Sequence, residues 1–332
     1  MRRLRILTWH VHGSYLDSLV RTGHDFFLPV GPDGSGGRGD WGWPDTVREV
    51  PAEAVRDLDV DLVLFQSEAN WREGSNLLSD SQLRGPRIYV EHDPPREHPT
   101  DTRHPVDDPD VLLVHVTAFN DLMWDSGRTP TRVIEHGVTV PDDVRYSGEL
   151  ERGIVVVNNL RKRGRRLGRD VFERARETIP LDLVGMDAKS LGGLGEVKRD
   201  VLPAFEARYR FFFHPIRYTS FGMAVCEAMM VGLPIVALAT TEMPTVIEDG
   251  VGGIVDTDVG RLIDGMGELL RDPALARTMG ERARAIALER FSIERFTRDW
   301  NCAFSHVTGI GDEPALAGVA VGGAGHPIGD ER

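Results

Sequence analysis

A short stretch in the second half of the chain combines residue types that suit phosphate binding. Residues 211–213 form an apolar run typical of a buried strand end, and a helix-length segment follows at 222–231. The junction at Ser220, Phe221 and Gly222 would leave backbone N–H groups free at the positive end of this helix. The sequence therefore predicts an anion site at the junction, suited to a phosphate.

A carboxylate lies in the same predicted helix. Glu227 follows the junction by about a turn and a half, and a carboxylate there can accept hydrogen bonds from two hydroxyl groups, such as those of a ribose. The helix ends at Gly232, and residues 233–239 predict the next strand of a parallel sheet, whose ligands gather beyond the strand ends. A phosphate site beside a diol site predicts a nucleotide. The alternative is that Glu227 only caps or pairs inside a buried helix.

The same stretch resembles the donor-binding signature of retaining glycosyltransferases of the two-Rossmann-domain type called GT-B, especially family 4. The matching positions are His214-Pro215, Arg217, Thr219, Ser220-Phe221-Gly222, Glu227-Ala228-Met229, Gly232-Leu233-Pro234 and Glu248-Asp249-Gly250. In that family a first acid and the amides after it hold the donor sugar, and the second acid holds the ribose. The resemblance thus assigns Thr219, Ser220, Phe221, Gly222 and Glu227 to donor binding. Thr219 replaces the first acid, which leaves the identity of the sugar open.

A basic run follows the predicted strand at 153–157. Arg161, Lys162 and Arg163 would lie at the carboxyl end of that strand, where cations can neutralise a departing diphosphate. Related enzymes use an arginine and a lysine in this loop, and this chain has Asn159 and Arg163 at those two positions. We expect at least one of the three cations to assist catalysis, with Arg161 or Lys162 replacing the family's pair. The alternative is an ordinary solvated surface.

The first half of the chain supplies candidates for the opposite wall of the site. Gly13 follows the first strand and lets backbone approach a ligand closely; in the family this turn faces the donor phosphate and the acceptor. His92 resembles the family's strand-end histidine above the donor sugar, which makes it a catalytic candidate. Asp93 is the nearest group if the acceptor needs a general base. His12 is an acceptor-side candidate, with a core histidine as the alternative.

Two tryptophans complete the acceptor-side candidates. Trp41 and Trp43 lie in the turn-rich segment 31–44 and either offer flat apolar faces to a sugar ring or anchor the loop. The three histidines between positions 92 and 104 have no spacing typical of a zinc site, so we expect no metal.

Two alternating series of strands and helices must position these groups. Buried strands are predicted at 5–9, 62–65, 87–90 and 111–116, and a second series begins with 153–157 and 181–184. The resemblance implies an α/β fold of two Rossmann-like domains whose parallel sheets face a central cleft.

The chain is accordingly divided into four parts. The N-terminal domain is expected at 1–139 on the acceptor side and the C-terminal domain at 140–291 on the donor side. The helical pattern at 292–307 should cross back onto the first domain, as in related proteins. Residues 308–332 have few large apolar groups and are expected to form a flexible tail.

Composition excludes several classes of protein. A chain of 332 residues usually makes about two domains, and a net charge of −13 argues against a nucleic-acid partner. No segment approaches the roughly 18 apolar residues that a membrane span requires. The two cysteines have no metal-type spacing and suggest a reduced, cytoplasmic location, with peripheral contact to the inner face of the membrane left open.

The expected function is that of a glycosyltransferase in glycan biosynthesis. It would move a sugar from a nucleotide-sugar donor to the hydroxyl of a sugar, lipid-linked glycan or small molecule, with retention and with neither metal nor cofactor. Two alternatives stay open. One is an epimerase or hydrolase of the same fold. The other is a catalytically silent nucleotide-sugar-binding partner subunit, which the replacements at Thr219 and Asn159 would favour.

Overall fold

The strands of the chain form two parallel sheets. The computed structural model describes residues 2–310. The first sheet contains β1 (Arg5–Thr8), β2 (Asp25–Val30), β3 (Val47–Pro51), β4 (Leu62–Phe65), β5 (Arg87–Glu91), β6 (Val111–His115) and β7 (Thr131–Val133). The second contains β8 (Leu150–Val156), β9 (Leu181–Val184), β10 (Tyr209–His214), β11 (Ile235–Leu238) and β12 (Gly253–Asp256). Their orders are β3-β2-β1-β4-β5-β6-β7 and β12-β11-β10-β8-β9.

Helices connect the strands and cover both faces of each sheet. They are α1 (Gly13–Leu19), α2 (Glu68–Leu77), α3 (Asp80–Arg84), α4 (Ala118–Met123), α5 (Leu160–Arg163), α6 (Arg169–Ala175), α7 (Leu202–Glu206), α8 (Met223–Val231), α9 (Met243–Val246), α10 (Val259–Arg271), α11 (Pro273–Arg290) and α12 (Ile293–Thr308). Because side chains alternate along a strand, β10 sends Phe212 into one apolar core and its neighbours Phe211 and Phe213 into the other. Burial on both faces explains why these strands read as continuous apolar runs.

The last helix joins the two domains. Helix α12 follows the second domain in the chain, yet Phe296, Trp300 and Phe304 lie in the core of the first domain. A Cβ atom on Gly137 would lie 2.3 Å from Cβ of Phe296, so the connecting segment passes directly against the helix. The α/β fold of two facing Rossmann-like domains, with a final helix that crosses back, is therefore confirmed.

The chain end differs slightly from the expectation. Thr308 still belongs to α12, which ends at Gly309 in the left-handed conformation, with φ 65°. The expected flexible tail otherwise falls mainly on residues 311–332, which lie outside the described residues. Within the described part of the chain, none of the helices has the length and apolar character needed to cross a membrane.

The crossing helix generates a stability prediction. Trp300→Ala should lower the free energy of unfolding by about 3–5 kcal/mol, because it removes a fully buried ring and leaves a cavity. Urea unfolding followed by circular dichroism measures this loss. Arg298→Ala on the same helix is the matched control, since that side chain is 66% exposed and such changes usually stay within about 0.5 kcal/mol. Equal midpoints for the two variants would contradict the packing role of α12.

Candidate functional site

Loops from both domains meet beyond the carboxyl ends of the two sheets. The Tyr218 hydroxyl donates a hydrogen bond to the carbonyl of Pro95 at 2.8 Å, and the backbone N–H of Phe119 donates to Oε2 of Glu242 at 2.7 Å. These contacts join the loop after β5 and helix α4 of the first domain to the loops after β10 and β11. The candidate residues lie around this junction, where α/β sheets bind ligands.

The amino end of α8 offers unoccupied hydrogen-bond donors. Gly222 is the residue before the helix. Among residues 2–310, no side chain caps it, and a Cβ atom there would meet nothing within 4 Å. The first N–H groups of a helix have no partner within the helix and attract anions. Thr219, just before, is half-buried and makes no hydrogen bond among the described residues. This end of α8 can therefore bind a phosphate.

Two residues of the junction have structural contacts that the sequence did not predict. Phe221 is buried and stacks on Phe291, with ring centroids 5.3 Å apart. Ser220 is buried, and its Oγ accepts a hydrogen bond from Asn120 at 3.4 Å. The side chain of Phe221 thus anchors the loop, and the donor contact predicted for this position rests on its backbone amide. The backbone of this loop is what remains available.

Glu227 lies on α8 with its carboxylate unpaired in the described part of the chain. It is half-buried and has neither a hydrogen bond nor an ion pair, so the alternative of a structural cap or pair is not what the structure shows. Burial raises the pKa of Glu227 to about 7, with a smaller contribution from Asp17, while Arg199 opposes the rise. A carboxylate in this state can accept two hydroxyl groups of a ligand.

The basic run forms α5, and its three cations differ in position. Arg161 and Lys162 are exposed, whereas Arg163 is half-buried and close to Asp93 and Arg96 of the first domain. Burial lowers the pKa of Arg163, and the nearby Arg96 guanidinium contributes to this lowering. Of the three cations, Arg163 is thus the one that the turn of α5 brings close to the first domain.

A further arginine near Arg163 was not predicted. Arg166 also lowers the pKa of Arg163, which shows that the two guanidinium groups are close. The backbone carbonyl of Arg166 accepts hydrogen bonds from the N–H groups of Arg217 and Tyr218, at 3.0 Å and 3.2 Å. The loop after β10 is thereby tied to the basic loop. No local signal in the sequence distinguishes Arg166 from the other arginines of this segment.

His12 and His92 are brought together on the first domain. Their ring centroids lie 4.3 Å apart, and Tyr15 packs edge-on against His92 at 4.7 Å. Burial holds the pKa of His92 well below its ordinary value, and the neighbouring His12 and His136 add to this. His92 is therefore a neutral imidazole at pH 7. Its Nε2 is buried without a hydrogen-bond partner in the described structure, so it remains available to a ligand hydroxyl.

Gly13 lies directly against the indole ring of Trp41. A Cβ atom on Gly13 would lie 2.1 Å from Cζ2 of Trp41, so glycine is needed there to admit the indole ring. Trp41 stacks on Trp43, which is buried and donates from Nε1 to Asp17 at 3.1 Å. Of the two alternatives for this pair, anchoring of the loop is the one that the structure supports for Trp43.

Arg199 of the second domain closes over these tryptophans. Its Cζ lies 4.0 Å from the centroid of the Trp41 ring, and its Nη1 lies 3.1 Å from Oδ2 of Asp17. The bridge crosses between the domains beside Glu227, whose pKa responds to both Asp17 and Arg199. This contact was missed in the sequence, because nothing local links position 199 to position 41.

Glu91 holds the turn that carries His92 and Asp93. One carboxylate oxygen accepts from the N–H of Asp93 at 2.9 Å, and the other lies 3.1 Å from Nε2 of His104. Since Nδ1 of His104 accepts the N–H of Val106 at 3.1 Å, the proton of that ring lies on Nε2 and is donated to Glu91. Glu91 therefore fixes both ends of the irregular segment after β5.

The carboxylate of Asp93 is less free than its role as a general base requires. It forms an ion pair with Arg96, and its carbonyl accepts a hydrogen bond from Nε1 of Trp124 at 2.8 Å. The Arg96 guanidinium therefore occupies an oxygen of the carboxylate that a general base would need. In the described residues no group of three or more His, Cys, Asp or Glu side chains could hold a metal ion.

Comparison with known proteins places this geometry in a family context. Residues 171–272 match the family model described as glycosyl transferases group 1. The chain is 33% identical over 90 residues to N-acetyl-alpha-D-glucosaminyl L-malate synthase of Bacillus anthracis, a match that covers 26% of this chain and 24% of that protein. It is 36% identical over 80 residues to D-inositol 3-phosphate glycosyltransferase of Mycobacterium avium, a match that covers 24% of this chain and 19% of that protein. The matches thus span a quarter or less of these relatives.

Solved structures extend the likeness to almost the whole fold. Sucrose-phosphate synthase from Thermosynechococcus elongatus aligns with a TM-score of 0.70 at 15% identity, covering 93% of this chain and 100% of that one. Anabaena Alr3699/HepE in complex with UDP aligns with a TM-score of 0.65 at 16% identity, covering 92% of this chain and 100% of that one. The GT-B architecture is confirmed, and the second domain carries the group 1 glycosyltransferase segment that the sequence resemblance indicated.

The Glu91 network generates a prediction about the segment 92–110. Glu91→Gln should speed amide hydrogen exchange throughout this segment. The glutamine side chain has one oxygen and one NH₂ group, so it can accept a hydrogen bond from Asp93 or from His104 but not from both. The donor that faces the NH₂ group is left without an acceptor, which lowers stability by about 1–3 kcal/mol. Exchange measured by mass spectrometry tests this. Glu97→Gln is the matched control, an exposed glutamate in the same segment. Exchange in the Glu91 variant no faster than in the control would remove Glu91 as the fixing residue.

Proposed function

We propose that the protein is a glycosyltransferase that transfers a sugar from a nucleotide-diphosphate sugar to an acceptor hydroxyl. The observation that carries the proposal is the uncapped amino end of α8 followed by the unpaired carboxylate of Glu227. This pair of groups lies in the segment that matches the glycosyl transferases group 1 model. Two of the similar structures, with UDP bound and with UDP-glucose bound, support a nucleotide-sugar donor.

Each part of such a donor has a group of matching chemistry. The amides at the start of α8 and the guanidinium of Arg163 would receive the diphosphate, and Glu227 would accept the two ribose hydroxyls. The sugar would then lie between Thr219 and the neutral His92, whose buried Nε2 is available for a hydroxyl group. Thr219 can donate one hydrogen bond but brings no charge, so a sugar that needs no carboxylate at this position fits best.

The chemistry proposed is a front-side displacement with retention. The bond between the anomeric carbon and the diphosphate oxygen breaks, and both electrons leave with the diphosphate. Arg163 and the α8 amides stabilise the charge that develops on it. The acceptor hydroxyl attacks the same face and gives its proton to the departing phosphate oxygen. Asp93, paired with Arg96, is then not required as a base, and neither is a bound metal.

A ligand panel separates the proposal from its alternatives. UDP-, GDP-, ADP- and dTDP-sugars are tested by thermal shift, where the cognate donor should stabilise the protein by about 2.7 kcal/mol at a hundredfold excess over its dissociation constant. Release of nucleoside diphosphate is then followed with and without acceptor mixtures. Stabilisation without any release would favour the silent binding subunit. An epimer formed from the donor alone would favour an epimerase.

Glu227 generates a prediction that isolates ribose recognition. Wild-type protein should bind UDP more tightly than 2′-deoxy-UDP. Glu227→Gln should erase that preference by lowering the affinity for UDP about 10-fold or more, since a charge-assisted hydrogen bond contributes about 1.5–3 kcal/mol. Isothermal titration calorimetry measures the four dissociation constants. Because Glu227 has a pKa of about 7, UDP binding should strengthen as pH rises through this value. A preference for the 2′-hydroxyl that survives in the Gln variant would place the ribose elsewhere.

Arg163 generates a prediction about the leaving group. Arg163→Ala should lower kcat more than it weakens donor binding, because negative charge on the diphosphate grows as the glycosidic bond breaks. Arg161→Ala, an exposed neighbour on the same turn, is the matched control and should keep wild-type kinetics. Steady-state release of nucleoside diphosphate from the cognate donor gives both parameters. Equal kcat values for the two variants would remove Arg163 from the reaction.

A further inference from the structure

Glu206 is a buried carboxyl group for which the proposed mechanism has no use. It ends helix α7, it is completely buried, and neither of its carboxyl oxygens has a hydrogen-bond partner within the described residues. Burial raises the pKa of Glu206 well above its ordinary value, and the nearby Glu227 raises it further. A fully buried carboxyl group without a counter-ion or hydrogen-bond donor favours its neutral form, which carries an O–H donor without an acceptor.

Such a group makes the fold less stable than an apolar side chain would. A buried polar group without a hydrogen bond lowers the stability of the folded state, and replacing buried ionisable groups with apolar ones often stabilises a protein. Ala207, Tyr209 and Cys226, close to Glu206 and Glu227 along the chain, lie in one apolar core. A leucine at position 206 would suit that core better, so packing gives no reason for a carboxyl group.

Among the described residues, Glu227 is the charged group that acts on Glu206. Helix α7 packs against α8, which carries Glu227, and the two carboxyl groups interact electrostatically. The other charged groups that face Glu227 are Arg199, just before α7, and Asp17 on α1. Arg199 is engaged by Asp17 and Trp41, so Glu206 is the neighbour of Glu227 that has a free proton to donate.

We propose that Glu206 is a positioning residue for Glu227, donating a hydrogen bond to its carboxylate when that carboxylate accepts the two hydroxyls of a ribose. The inference rests on the proposed function. A carboxylate has about four lone-pair positions, so Glu227 can accept from Glu206 and from both hydroxyls together. The bond fixes the rotation of the Glu227 carboxylate toward the ligand. It also makes Glu227, which is less enclosed, the member of the pair that is charged.

Two variants at position 206 separate this role from packing. Glu206→Gln keeps the shape and an N–H donor, and it should bind UDP within about twofold of wild type. Glu206→Leu fits the core but cannot donate a hydrogen bond. It should lower the affinity for UDP about tenfold or more, while the Tm of the protein stays equal or rises. Phe205→Leu on the same helix is the control for a change of volume without loss of the carboxyl group.

The pH dependence of UDP binding supplies a readout that packing alone would not move. A hydrogen bond donated to the Glu227 carboxylate lowers its pKa, so the midpoint of the binding profile should move to higher pH in the Leu variant and stay in place in the Gln variant. UDP binding that is equal in wild type and Glu206→Leu, with the same midpoint, would overturn this inference alone. Failure of wild-type protein to bind UDP, GDP or ADP at any pH would instead overturn the proposed function and this inference with it.

Discussion

The packing of α12 against the first domain is the constraint on which the site depends. Phe296 and Trp300 place a helix of the second half of the chain in the core of the first half. Arg295 at the start of this helix donates to the backbone carbonyl of Glu135, and Arg290 just before it pairs with the Glu135 carboxylate. The connecting segment is therefore held on both sides, and the loops after β5 and β10 are kept facing each other.

Burial decides which groups in the cleft carry charge. Histidines lose their proton more easily when water is excluded, so His92 and His136 are neutral at pH 7, the latter with its pKa lowered by burial to about 4. Glutamates hold their proton more tightly for the same reason, and Glu227 titrates near neutrality. Arginine keeps its charge throughout. A diphosphate in this cleft would thus be met by Arg163 and by backbone amides rather than by imidazolium groups.

The sequence predicted well where the physical signal is local. Strands β4 and β9 were bounded correctly because their apolar runs are buried on both faces, and α8 was found from its flanking glycine. Strand β2 was missed, and so were three of the four edge strands, β3, β7 and β12, since an edge needs no continuous apolar run and β3 exposes Arg48, Glu49 and Pro51. The difference in burial between Arg163 and Arg161 depends on the phase of a four-residue helix. The contact of Trp41 with Gly13 depends on a loop fold that no spacing encodes.

Closeness of the two domains acts on Glu227 in opposing ways. It encloses a ligand, yet the burial it causes and the Asp17 carboxylate it brings near both raise the pKa of Glu227, and only Arg199 counters them. A folded-state pKa above the ordinary value means that the enclosed carboxylate is most costly above that pH. Hydrogen bonds donated by ligand hydroxyls would offset this cost. The enclosure that makes a charged Glu227 unfavourable in an empty site would thus favour a ligand that carries a diol.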